Sequence, residues 1–124
     1  MVMALMVEPG KHPWITQLCS DSRFWDMAVS VGTDMQCSAR IMELGNGVII
    51  LHAWEGLTMS LPGNRRIKKR IIPGVFYVVG MEKGILRSLT DEEIVKYMDK
   101  LWKIQHFSED EMMESWFEGI FSML

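Results

Sequence analysis

The sequence has few of the residues that define several classes of protein. It holds two cysteines, Cys19 and Cys37, and no Cys-x-x-Cys pair, so neither a disulfide framework nor a thiolate zinc site is expected. Its three histidines stand far apart, without the i,i+4 or cysteine partners typical of zinc sites. No stretch has the length of a membrane span, and the apolar start at 1–7 is too short for a secretory signal. We therefore expect a cytoplasmic protein without a metal, another cofactor or a membrane partner.

Signatures of catalysis are also missing. Neither common glycine-rich nucleotide loop is present, and nothing in the spacing of serine, histidine and aspartate residues indicates a catalytic triad. The composition, with 48% apolar and 23% charged residues, is that of an ordinary folded protein. We therefore predict one non-enzymatic domain over residues 1–124.

The first two thirds of the chain carry β patterns. Gly45-Asn46-Gly47 is a tight-hairpin sequence, and Val48-Ile49-Ile50-Leu51 after it is apolar on both faces, as in a central strand. A short helix is predicted from Ser20 or Asp21 to Gly32. Residues 1–88 are thus predicted to be mostly β with one short helix; strands are expected at 1–7, 14–19, 35–44, 48–54 and 71–80.

The last third changes to a helical period. Thr90 to Glu93 and Ser108 to Glu111 are capping boxes, which mark the starts of two helices. The band of apolar residues from Met112 to Leu124 is wider than one packing seam needs. It either packs on the sheet or is partly exposed as a dimer or partner surface. The fold predicted is α+β: a mainly antiparallel sheet of about five strands, one short helix and two C-terminal helices over 89–124.

A basic segment follows the predicted hairpin. Residues 64–70 contain five of the 13 lysines and arginines, and Pro62 and Gly63 before them predict a surface loop. Such a loop is suited to a phosphate-bearing ligand or an acidic partner, while the alternative is an edge strand protected by charge. The candidate binding residues here are Asn64, Arg65, Arg66, Lys68, Lys69 and Arg70.

Charge is divided along the chain. Residues 1–88 hold 10 basic and 7 acidic side chains, a net charge of +3, whereas residues 89–124 hold 3 and 9, a net charge of −6. The acidic helices are either a solvated face or a surface that competes with nucleic acid for a basic groove on a partner. Glu109, Glu111 and Glu114 are the candidate contacts. Direct nucleic-acid binding is not expected, because the isoelectric point is about 5.6 and no aromatic residue interleaves the basic segment.

Four blocks, in order, resemble a domain-of-unknown-function family carried by bacteriophages and mobile elements. They are Val7-Glu8-Pro9-Gly10-Lys11, Leu61-Pro62-Gly63-Asn64-Arg65, Ile72 to Gly80, and Ser88-Leu89-Thr90-Asp91-Glu92-Glu93. The resemblance covers about Met3 to Tyr97. It implies a small standalone protein without an enzyme signature, some of whose relatives are counter-defence proteins that include inhibitors of CRISPR nucleases. Glu8, Lys11, Asn64 and Arg65 match the family blocks, whereas Gly32-Thr33 departs from the family's paired glycines and 112–124 lies outside the resemblance.

Three functional hypotheses follow. The first is a counter-defence protein that binds and blocks a bacterial immune effector, such as a CRISPR nuclease, through the acidic C-terminal helices with the basic loop as a second contact. The second is a sponge for a cyclic nucleotide or another phosphate-bearing signal, held by Lys11, Asn64 and Arg65 with Trp14 or Trp54 stacked on the base. The third is a regulatory homodimer through the Met112 to Leu124 helix.

Overall fold

The computed structural model describes residues 1–18, 39–53 and 61–123. At residues 39, 53 and 118–123 it describes the backbone alone. Eight strands and two helices lie in these ranges. The strands are β1 (Val2–Val7), β2 (Trp14–Leu18), β3 (Ala39–Gly45), β4 (Val48–Ala53), β5 (Gly63–Ile67), β6 (Arg70–Pro73), β7 (Phe76–Glu82) and β8 (Ile85–Arg87). The helices are α1 (Asp91–Lys100) and α2 (Glu109–Met123).

Six strands form one antiparallel sheet: five follow the order β2-β1-β7-β4-β3, and the sixth, β8, also pairs with β7. β7 is central, because it pairs with β4 along one edge and with β1 over Phe76–Val78 on the other. β8 pairs with the remaining part of β7, over Gly80–Glu82. The described strands thus place the longest apolar runs in the middle of the sheet.

β4 confirms the prediction of a strand buried on both faces. Val48 and Ile50 pack in one apolar cluster with Phe76 and Val78 of β7, while Ile49 and Leu51 pack in a second cluster on the opposite face. The predicted hairpin between β3 and β4 is also confirmed, since Asn46 and Gly47 adopt φ values of 54° and 76°. Glycine and asparagine tolerate this left-handed conformation, which explains the turn.

The predicted strand over 71–80 is instead two strands in two different sheets. β6 ends at Pro73 and β7 begins at Phe76; between them Gly74 has φ +69° and its N–H donates to the Pro62 carbonyl at 2.8 Å. β6 pairs with β5 as a separate antiparallel hairpin. The basic segment is therefore a β-hairpin rather than a loop, and the described strands number eight rather than about five.

Both predicted capping boxes are confirmed. The Glu93 N–H donates to Thr90 Oγ1, and the Thr90 N–H donates back to the Glu93 carboxylate. The same reciprocal pair joins Ser108 and Glu111 at the start of α2. α1 packs Tyr97 on the cluster that holds Phe76. Without the capping boxes, the N–H groups of Glu93 and Glu111 would be unpaired in the first turn of their helices.

The α+β class with a mainly antiparallel sheet and two C-terminal helices is confirmed. The helix predicted for 20–32 lies outside the described residues, as do Cys19, Cys37 and Trp54. In the described part of the chain, no helix is long and apolar enough to cross a membrane.

Candidate functional site

Asn64 and Arg65 lie inside the protein, which corrects their prediction as ligand contacts on a loop. Both are fully buried. Asn64 Nδ2 donates to the carbonyls of Val7 and Gly74, each at 2.8 Å. The pairing of β5 with β6 is irregular between Gly63 and Arg65, and both side chains are buried there, so they hold neighbouring backbone in place and are not exposed to a phosphate group.

Arg65 connects three parts of the chain. Its Nε donates to the Leu101 carbonyl at 2.9 Å, at the end of α1; Nη2 donates to the Lys11 carbonyl at 2.6 Å; and Nη1 donates to Asn64 Oδ1 at 2.8 Å. Burial lowers the pKa of Arg65 from its ordinary value, because desolvation disfavours the charged form. The guanidinium therefore acts as a structural clamp.

The turn at 8–11 is held against this clamp. Gly10 has φ +75° and the Lys11 N–H donates to the Glu8 carbonyl at 3.2 Å, the geometry of a type II turn with proline and glycine in the middle. Lys11 Nζ lies 3.3 Å from the Glu8 carboxylate, which also accepts from Trp14 Nε1. The four residues that match the family blocks are thus neighbours in the structure: Glu8, Lys11, Asn64 and Arg65. Of these four, Lys11 alone has a well-exposed side chain.

His12 attaches the same turn to the segment after α1. Its ring stacks on Trp102 with centroids 3.9 Å apart, and Nδ1 donates to the Trp102 carbonyl at 2.7 Å. Since a carbonyl oxygen only accepts, this contact fixes the proton on Nδ1.

An open cleft of about 700 Å³ lies beside this junction. One wall comes from the turn and the start of β5, and the other from the segment before α2 and from the first two turns of that helix. Its volume is in the range of ligand-binding sites. The lining residues are Pro9, Gly10, Leu61, Pro62, Gly63, Gln105, His106, Phe107, Glu109, Met112 and Met113.

The basic hairpin and the acidic helix α2 contact each other, whereas the sequence suggested two independent surfaces. Arg66 Nη2 lies 3.8 Å from the Glu111 carboxylate, and its guanidinium carbon lies 5.7 Å from the Phe107 ring centroid. The Glu111 carboxylate also accepts a hydrogen bond from the Ser108 N–H, and this bond lowers the pKa of Glu111. Arg66 and Glu111 therefore already have partners within the chain.

Side chains of the C-terminal segment also cover the edges of the hairpin. The Arg66 N–H donates to Gln105 Oε1 at 3.1 Å, and the Ile71 N–H donates to the buried Ser115 hydroxyl at 2.7 Å. These two residues face each other across β5 and β6. The Arg66 and Ile71 N–H groups are thus already bonded within the chain and are not free to pair with a strand of another chain.

The remaining basic candidates lie at the tip of the hairpin. Lys68 and Lys69 form its turn with φ values of 50° and 70°, and both are exposed. Lys68 Nζ donates to the Glu43 carbonyl on β3, while Arg70 is half-buried. The tip keeps its positive charge at the surface, apart from the cleft.

α2 also has an exposed surface, part of which borders the cleft. Met113, Trp116 and Phe117 are 43%, 39% and 47% exposed, and Glu109 and Glu114 are exposed beside them. We call these five residues the α2 face. Met112 points inward instead, toward Gly63. The described part of the apolar band is therefore divided between packing and exposure. From residue 118 onward the structure describes no side chain of this band.

The part of the second wall that precedes α2 was not predicted from the sequence, although Glu109 and the apolar band that begins at Met112 were. Gln105, His106 and Phe107 lie between two helices and follow no periodic pattern, so nothing distinguished them from an ordinary linker. Gly63 was an indirect signal: a Cβ there would lie 2.6 Å from Met112 Sδ and 2.8 Å from Phe107 Cδ2. The reason for a glycine at this position is visible only in the structure, where Met112 and Phe107 approach its backbone closely.

Fold and site define a small α+β protein with an open cleft between a β-hairpin and a C-terminal helix. Among residues 1–18, 39–53 and 61–123, no three histidine, cysteine or acidic side chains are grouped as a metal site requires. Residues 2–101 match the family described as a domain of unknown function, DUF3846, and the protein belongs to that family. No curated protein and no solved structure shows significant similarity to it. The family match ends at Leu101, so α2 and one wall of the cleft lie beyond it.

Proposed function

We propose that this protein acts by binding a protein partner through the α2 face and blocking it, without catalysing a reaction. The observation that carries the proposal is the composition of that face, where three large apolar side chains are between 39% and 47% exposed. Glu109 and Glu114 lie beside them. Methionine and aromatic residues are enriched at protein interfaces, so this combination favours a binding surface over a simply solvated one.

The charge of the face indicates the chemistry of the partner. Carboxylates beside apolar side chains complement a groove that is both basic and apolar, and they speed the encounter with such a surface. Glu111 caps α2 and pairs with Arg66, whereas Glu109 and Glu114 are exposed and have no such role among the described residues. We therefore assign partner recognition to Glu109 and Glu114 rather than to all three glutamates.

The resemblance of the four sequence blocks to phage-borne proteins supports a more specific form of this proposal. The partner is then a bacterial immune effector in the host cytoplasm, such as a CRISPR nuclease, whose nucleic-acid groove is basic. The α2 face occupies that groove, and nucleic acid is excluded by occlusion.

The phosphate sponge has less support. It requires Asn64 and Arg65 to hold phosphate groups, but both are fully buried and donate to backbone and side-chain oxygens within the chain. The homodimer uses the same exposed residues of α2 as the proposed interface, so it is an alternative outcome of the same experiment.

The test is affinity capture of the tagged full chain from bacterial lysate, read by native mass spectrometry. We expect a stoichiometric protein companion that is lost in Glu109→Lys/Glu114→Lys and retained in Asp91→Lys/Asp99→Lys, which makes the same charge change on exposed positions of α1. Addition of the wild-type protein should then displace nucleic acid from the purified companion. Equal capture by both double variants, or a second copy of this chain as the sole companion, would contradict the proposal.

A further inference from the structure

The cleft and the α2 face are continuous. Glu109 and Met113 belong to both, since they line the cleft and are exposed on the outer side of α2. A partner seated on the α2 face therefore also covers the mouth of the cleft. A concave pocket at the centre of an interface is where anchoring side chains usually contribute most of the affinity.

The lining of the cleft has a specific chemical character. Much of the lining is apolar and comes from Leu61, Pro62, Phe107 and Met112. With histidine taken as neutral, Glu109 is the one charged side chain among the lining residues. Gln105 adds an amide. An elongated side chain with an apolar stem and a positive head complements this combination of surfaces.

The walls of the cleft are fixed before anything binds. Arg65 holds the Lys11 carbonyl and Asn64 holds those of Val7 and Gly74, while the missing side chain of Gly63 lets Met112 and Phe107 pack directly on β5. A preformed pocket avoids the entropic cost of ordering its walls on binding.

Resting on the function proposed above, we propose that the cleft receives an arginine side chain from an extended segment of the partner. Its guanidinium pairs with the Glu109 carboxylate, and its stem packs on Phe107 and Met112. Arginine fits better than lysine because its planar head is less strongly hydrated and stacks on aromatic rings.

The first experiment measures the cleft without the partner. We would titrate the ¹⁵N-labelled full chain with acetyl-Leu-Arg-Leu-amide and with acetyl-Leu-Gln-Leu-amide, and record two-dimensional NMR spectra. We expect saturable shifts at Gly10, Gly63 and Phe107 with the arginine peptide, and about tenfold weaker binding of the glutamine peptide.

The variants then identify the carboxylate. Glu109→Gln should weaken binding of the arginine peptide by about tenfold, whereas Asp110→Asn, which removes an equal charge at an exposed position outside the cleft, should change the affinity less than about twofold. Equal affinity for the two peptides, or shifts that map away from the cleft, would overturn the proposal.

A second experiment separates this inference from the proposed function. Pro62→Trp places an indole in the cleft without changing a residue of α2, while Gln17→Trp adds the same indole at an exposed position of β2 outside the cleft. We expect Pro62→Trp to weaken capture of the partner by about tenfold and Gln17→Trp to leave it unchanged. If Pro62→Trp captures normally but Glu109→Lys/Glu114→Lys does not, the cleft proposal fails and the α2 face stands. If all these variants capture normally, both fail.

Discussion

Arg65 shows how a residue that reads as a surface contact in the sequence becomes part of the core. Its guanidinium is fully buried and reaches carbonyl oxygens of Leu101 and Lys11, which are far from it in the chain. Burial of a charge is costly unless its donors are satisfied, and here oxygens of the chain satisfy them. Residue type and spacing predicted a positive charge at this position, but the direction of the side chain depends on strand geometry that the sequence does not show.

We predict that Arg65→Lys destabilises the protein by about 2–3 kcal/mol, because an ammonium group cannot reach these separated acceptors and leaves buried carbonyls unpaired. The measurement is urea unfolding of wild type and variant. Arg66→Lys is the matched control, since Arg66 is exposed, and it should cost less than about 0.5 kcal/mol. Equal losses for the two variants would show that Arg65 is not a clamp.

Glu93 is the residue through which stability should depend on pH. Arg87 donates to both of its carboxylate oxygens, at 2.8 and 3.1 Å, and the Thr90 N–H donates at 2.9 Å. These donors lower the pKa of Glu93 to about 2. Because the folded pKa is below that of the unfolded chain, the stabilisation is present above about pH 4.5 and is lost as the pH falls toward 2.

The check is the difference in unfolding free energy between wild type and Glu93→Gln from pH 6 to pH 2. We expect a difference of about 2 kcal/mol at pH 6 that shrinks steadily below pH 4.5. Glu92→Gln, at the exposed neighbouring position, is the control and should change the free energy of unfolding at pH 6 by less than about 0.5 kcal/mol. A pH-independent difference for Glu93→Gln would refute the assignment.

At the scale of elements, local sequence patterns predicted the helix starts and the central hairpin but not the division of 71–80. The capping boxes and Gly45-Asn46-Gly47 are local signals whose partners lie within a few residues. The break at Gly74 depends instead on a hydrogen bond to Pro62, twelve residues earlier. Contacts of this range leave no period in the sequence, so β5 and β6 were predicted as a loop and the start of a longer strand.

The tip of the β5–β6 hairpin gives an element-scale prediction. Lys69 has φ +70°, a conformation that costs a non-glycine residue about 1 kcal/mol and costs glycine little. We therefore expect Lys69→Gly to raise the free energy of unfolding by about 0.5–1 kcal/mol. The same change at Lys96, in the middle of α1, should lower it by about 1 kcal/mol. The measurement is thermal unfolding of both variants and the wild type. Destabilisation by Lys69→Gly would contradict the assignment of backbone strain to Lys69.

For the whole molecule, the sequence predicted the α+β class and the division of charge, but not the way in which the charged regions pack. The basic hairpin and α2 lie together through Arg66 and Glu111, so part of each region is neutralised within the chain. Part of the remaining charge of these two regions is exposed on the α2 face and at the hairpin tip. The cleft combines residues from inside and outside the family match, and no single sequence block predicts it.

The measurement that tests the central proposal most directly is the affinity of the captured partner for two tryptophan variants of the full chain. Trp116→Ala removes an aromatic side chain from the α2 face, and Trp14→Ala removes one that is 47% exposed on β2. We predict at least a tenfold loss of affinity for Trp116→Ala, since buried aromatic anchors typically contribute about 2 kcal/mol or more, and less than about a twofold change for Trp14→Ala. An unchanged affinity for Trp116→Ala would contradict the assignment of binding to the α2 face.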